Sequence, residues 1–164
     1  MPHIIQAFIG KRDAVKKIVN PLAQTEVTIV ELPQNFDCLF LCDNLQTAIH
    51  RFMKKNESEV IAPFDFFSSA MQDYIECVGI GDFIYIETEY FGGEGSQCAG
   101  VFKDGKLLKT YRQHSREINP KASWPKRVLN SPINSALREL GVIRNAELDE
   151  FDTMDLGNYR SMPR

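Results

Sequence analysis

Glu87 and Glu89 are the first residues whose types and spacing suggest chemistry. They stand two apart in a segment, residues 83–90, whose β-branched and aromatic content predicts a strand, so both carboxylates project from one face. Paired carboxylates on a strand can hold Mg²⁺ or divide acid and base roles between them. A metal would need further ligands, and no third Asp, Glu or His stands at matching spacing. The same alternation puts Ile84, Ile86 and Thr88 on the opposite side. That side is expected to be core, leaving the glutamates, with Phe83 and Tyr85, on a partly exposed face suited to a protein partner.

Other candidate chemistry is thinner. Phe91-Gly92-Gly93-Glu94-Gly95 follows the strand, but a phosphate cradle needs a helix N-terminus behind the glycines. Another strand is predicted to follow, and Glu94 would repel phosphate, so this is expected to be a hairpin loop. His3, His50 and His114 stand in no nucleophile motif, and a Cys98–His114 dyad has no supporting pattern. Cys38, Cys42, Cys77 and Cys98 include no CxxC pair. Cys38 and Cys42, four apart in a strand, would lie about 13 Å apart, too far for a disulfide. All four are expected to be reduced and mostly buried, as in a cytoplasmic protein. No complete catalytic set, cofactor motif or metal site is expected.

Charge is more informative than composition. The 164 residues are 43% apolar with a net charge of −3, ordinary for one globular domain. No apolar run reaches the ~18 residues a membrane span requires, and the apolar stretch at 4–10 has no basic residue before it, so neither a span nor a signal peptide is expected. Residues 1–145 balance at 17 basic and 17 acidic side chains. Within them, 103–127 holds eight Lys or Arg against two acids, with Tyr111 and Trp124 interleaved, the composition of a nucleic-acid patch. Residues 147–155 contain five acids, Glu147, Asp149, Glu150, Asp152 and Asp155, and no base. Such a strip can steer a basic partner, while Phe151 and Tyr159 could anchor it to the domain.

The elements that must position these groups follow from periodicity. Strands are predicted at 3–9, 26–32, 38–42, 83–90, 97–103 and 106–112. Asp104-Gly105 signals a two-residue hairpin that sets Phe102 opposite Leu107 and Val101 opposite Leu108. Helices are predicted at 11–19, around Leu45, Ala48, Ile49, Phe52 and Met53 with Asp43 capping and Gln46 completing a capping box, at 65–78 closed by Gly79, and from Ser131-Pro132. The expected fold is α+β: a largely antiparallel central sheet with three to four helices on one face. Residues 1–145 form the domain, and 146–164 form an acidic tail that docks on it.

Three stretches together carry a family resemblance. They are Ile5-Gln6-Ala7-Phe8-Ile9-Gly10 with Glu31-Leu32-Pro33-Gln34, then Tyr90-Phe91-Gly92-Gly93-Glu94-Gly95-Ser96-Gln97, and Asn134-Ser135-Ala136-Leu137-Arg138-Glu139-Leu140-Gly141-Val142 running to Asp149-Glu150-Phe151-Asp152 and Leu156-Gly157-Asn158-Tyr159-Arg160. The chain resembles small bacterial immunity proteins encoded beside polymorphic or contact-dependent growth-inhibition toxins. The resemblance implies a cytoplasmic protein that binds one toxin domain, in many cases a basic nuclease, and blocks it. It transfers no residue by position. The residues expected at such an interface are Glu87, Glu89, Tyr90, Phe91, Glu94, Asp149, Glu150, Asp152, Asp155 and Tyr159. The alternatives are a metal-dependent enzyme using Glu87 and Glu89, and a nucleic-acid-binding module using 103–127.

Overall fold

Strand β1 (His3–Lys11) carries Ile5, Ala7 and Ile9 on one side and Phe8 on the other, all essentially inaccessible to solvent. Apolar side chains on both faces belong in the middle of a sheet covered on both sides, and there β1 lies. The structure is a computed structural model and describes residues 3–55, 59–79, 81–91, 94–118, 121, 123 and 128–159. Its six strands run β2-β3-β1-β4-β5-β6, every neighbouring pair antiparallel. The other strands are β2 (Ile29–Leu32), β3 (Phe36–Phe40), β4 (Phe83–Phe91), β5 (Glu94–Lys103) and β6 (Lys106–His114). The α+β class with a central antiparallel sheet is as expected from sequence.

Helices on one face only is corrected. Helices α1 (Arg12–Val19), α2 (Asp43–Phe52) and α3 (Ser69–Val78) cover one face, where Val15, Ile18, Leu45, Ile49, Met71 and Tyr74 pack on Phe8, Phe83 and Tyr85. Helices α4 (Pro132–Glu139) and α5 (Glu150–Thr153) cover the other, where Ile133, Ala136, Leu137, Met154 and Leu156 pack on Ile5, Ile84 and Ile86. The unbroken apolar run Phe83-Ile84-Tyr85-Ile86 is the mark of a strand buried on both faces, all four being fully buried. No helix among the described residues is long and apolar enough to cross a membrane.

Local signals decide most element ends. Ser131 caps α4 through Asn134 N–H, with Pro132 in the first turn. Gly79 closes α3 at φ 59°. Asp104 and Gly105 both have positive φ, as the expected type I′ turn requires. Phe102 faces Leu107, but Val101 pairs with Lys109 rather than Leu108. A bulge skips Leu108 and leaves it 64% exposed. The cap of α2 is also corrected: Cys42 holds the N-cap position without a side-chain bond, Asp43 is the first helical residue, and Gln46 reaches Gln6 Oε1 at 3.5 Å instead of closing a capping box. Helix α3 starts at Ser69 rather than 65, with Ser68 accepting from Met71 N–H.

Gly95 shows how tightly the β4–β5 hairpin is built. It pairs with Tyr90, and a Cβ there would lie 2.0 Å from the Glu89 carbonyl oxygen. Gly95→Ala is therefore expected to lower stability by about 1–3 kcal/mol through forced backbone displacement, read as a fall in the urea midpoint. An unchanged midpoint would show that the strand pair yields freely. Gly92 and Gly93 lie outside the described residues.

Candidate functional site

Glu87 is the clearest departure from expectation. It is 4% exposed, not part of an accessible glutamate face. Its Oε1 accepts from Phe66 N–H (2.9 Å), Phe67 N–H (2.8 Å) and the Tyr85 hydroxyl (2.9 Å), and its Oε2 accepts from Asp65 N–H at 2.8 Å. These three amides lie just ahead of α3, whose start is set by the Ser68 cap. Burial pushes the Glu87 carboxyl above its ordinary value, while the four donors pull it back. The carboxylate thus serves as a pin between β4 and the 65–67 segment. Glu89, two residues along, is exposed, so the two glutamates do not form a matched pair. Among the described residues no group of three His, Cys, Asp or Glu side chains is placed to hold a metal ion.

The surroundings of Glu87 are equally committed. Arg112 pairs with Asp65 at 3.2 Å and donates to the Pro63 carbonyl. The Cys98 thiol lies 3.7 Å from that same carbonyl, and burial pushes it up to about 12. His114 is occupied elsewhere: its Nδ1 accepts from Arg116 N–H in the turn after β6. The Cys98 thiol is thus directed at a carbonyl, and His114 Nδ1 at a backbone amide. Cys38 is also buried, Cys42 half-buried, and Cys77 exposed, against the expectation of mostly buried thiols.

A pocket of about 360 Å³ opens on the opposite face. Strands β4, β5 and β6 contribute Thr88, Gln97 and Gln113, which stand in one register row across the sheet. Tyr90 lies beyond them on β4, while Ser131, Ile133 and Asn134 come from the start of α4. Asp149 and Phe151 come from the tail, and Ile118 and Val128 complete the wall. No Lys or Arg is among these lining residues. Asn134 is fully engaged, donating to the Val128 carbonyl at 2.9 Å and accepting from Phe151 N–H at 2.7 Å. Asp149 caps α5, one oxygen accepting from Asp152 N–H at 2.8 Å. Gln97 Oε1 is buried without a hydrogen-bond partner. Burial pushes the Tyr90 hydroxyl up, opposed by a hydrogen bond with Gln97.

The remaining candidates scatter around this pocket. Phe91 is 74% exposed, and Glu94 is exposed and paired with Arg116 at 2.9 Å, which lowers its carboxyl. Glu89 and Phe91 alternate with Thr88 and Tyr90, so the sheet separates them from the pocket side. Glu150 is corrected from a surface acid to a buried one: it is 2% exposed and held by Arg138 at 2.9 Å. Asp152 and Asp155 are exposed, and Tyr159 is half-buried against Phe40 at 5.7 Å. The tail docks as expected, with Met154 and Leu156 buried in the second core.

Among the described residues of the 103–127 window, three of the basic side chains are held in ion pairs, and Lys126 and Arg127 lie outside the described residues. Lys109 pairs with Glu139, Arg112 with Asp65 and Arg116 with Glu94. Tyr111 donates to Glu139 as well. Trp124 lies outside the described residues. Sequence reasoning missed Gln97, Gln113, Asn134 and Phe151 as lining residues. The available signal was their polarity or aromaticity beside apolar core positions, but their convergence depends on the β5–β6 bulge. In comparisons with known proteins, no family model matches the chain, no curated protein is detectably similar to it, and no solved structure resembles it.

Proposed function

We propose that this chain is a cytoplasmic immunity-type protein that binds a basic toxin domain and blocks it, acting by occupancy rather than turnover. The observation that carries the reading is the meeting of Tyr90 from the sheet and Asp149 from the tail at one pocket with no Lys or Arg among its described lining residues, beside the exposed acids Asp152 and Asp155. Acids around a concave site attract a basic partner and raise its association rate.

The test is co-expression with the C-terminal domain of a large secreted protein encoded beside this gene, followed by binding kinetics on the purified pair. Protection from growth arrest and a nanomolar complex are expected. Association should slow steeply between ~50 and ~300 mM salt as the charges are screened. Replacing Glu147 and Asp152 together by lysine should reduce the association rate about tenfold at low salt. A toxin domain that neither binds nor is neutralised overturns the proposal. Tight binding indifferent to salt and to both substitutions removes the acidic surface from it.

A further inference from the structure

Resting on that reading, we infer that the pocket between β4–β6 and α4–α5 is a guanidinium site, seating one arginine side chain of the bound partner. Its walls combine apolar surface with hydrogen-bond acceptors, and none of its described lining residues is a Lys or Arg. Tyr90 and Phe151 supply aromatic surface on which a guanidinium can stack. Asp149 spends one carboxylate oxygen on the Asp152 amide and keeps the other for a ligand. Gln97 lines the pocket, and its Oε1 is buried there without a donor. A buried acceptor without a donor costs stability that a ligand donor recovers. Both acceptors call for a donor-rich ligand, and guanidinium offers five N–H groups in a planar fork and no acceptor.

The bulge in β6 is what makes this chemistry available. Continuing the Phe102↔Leu107 register without it would put Arg112 opposite Gln97, a cation in the row that now ends in Gln113. With the bulge, Arg112 turns to Asp65 on the other face, and the row facing the pocket reads Thr88, Gln97, Gln113. The site is thereby neutral along the sheet and acidic at the tail, the complement of a single cation on an apolar stem. An ammonium would reach one acceptor well, whereas the planar fork can serve two at once.

The experiment titrates isotope-labelled protein with acetyl-Gly-Arg-Gly-amide, following the side-chain amide signals of Gln97, Gln113 and Asn134. Matched peptides carrying citrulline or lysine serve as controls. Saturable shifts at these signals are expected for the arginine peptide, with the citrulline peptide about tenfold weaker for lack of charge. Asp149→Asn, which keeps the cap of α5, should weaken the arginine peptide by a similar factor, and Gln97→Glu should tighten it. Equal responses to arginine and citrulline overturn the site, as do shifts confined to Asp152 and Asp155. The toxin domain separates the two readings. If it binds wild type and Asp149→Asn equally, the pocket inference falls and the inhibitor reading stands. If the peptide binds and no toxin domain does, the guanidinium chemistry stands and the inhibitor reading falls.

Discussion

Glu87→Ala is expected to cost about 2–4 kcal/mol of folding stability, because it leaves the buried Phe67 amide and Tyr85 hydroxyl, and the part-buried amides of Asp65 and Phe66, without their acceptor. The donors are Asp65, Phe66, Phe67 and Tyr85, all within 2.9 Å of the carboxylate. Glu87→Gln keeps the shape and one acceptor oxygen. It sets an NH₂ group against the Asp65 amide, so about 1–2 kcal/mol should be lost. Urea midpoints of the two variants measure both values. The pH dependence distinguishes a charged pin from a neutral one. Burial raises the Glu87 carboxyl in the folded state. A raised folded value means the native state holds the proton more tightly than the unfolded chain. The contribution of this group is therefore full below the ordinary carboxylate range and declines as pH rises through the folded value. The stability advantage of wild type over Glu87→Gln should shrink as pH rises above the ordinary carboxylate range. An advantage that grows as pH rises would mean the four donors outweigh burial.

Arg138→Met is expected to cost about 3 kcal/mol, near the lower end for breaking a buried pair, because the arginine is itself half-exposed. Its partner Glu150 is 2% exposed, and the second carboxylate oxygen, Oε2, has no hydrogen-bond partner. Removing the guanidinium strands the whole carboxylate. The loss should concentrate in the tail, since Glu150 opens α5 and its carbonyl accepts from Met154 N–H. Hydrogen exchange at Phe151 and Met154 should accelerate far more than at β1. Adding Glu150→Met to Arg138→Met should recover much of the loss, since an apolar pair of similar volume avoids a buried charge. A double variant less stable than either single one would show that the two side chains act independently. The result bears on function as well, because Asp149 and Phe151 reach the pocket only if α5 stays docked.

Residues whose behaviour is set within a few positions were legible in the sequence. Asp104-Gly105 specified a type I′ turn because both positions adopt positive φ. Ser131-Pro132 and Gly79 marked helix ends through capping geometry. The apolar spacing of Leu45 and Ile49 named the buried stripe of α2. Position 65 looked like a helix start because Phe67, Ala70, Met71 and Tyr74 have helical spacing. The amides there are instead taken by a carboxylate 20 to 22 residues away. That long-range contact, and the Ser68 cap that opens the helix after it, are not set by the apolar spacing.

The sequence by itself determined an α+β chain with an antiparallel centre, a neutral body and an acidic tail that docks, because turn chemistry, alternation and charge counts are local quantities. Tertiary structure alone decided which acids are surface and which are structural. Glu87 and Glu150 read like their neighbours along the chain, yet each is buried and held by distant donors. It also decided that helices cover both faces of the sheet and that a single bulge turns Arg112 toward Asp65 and Gln113 toward the pocket. The physical reason is the two-residue period of a strand: a one-residue slip exchanges its faces, and only contacts across the whole sheet select between them.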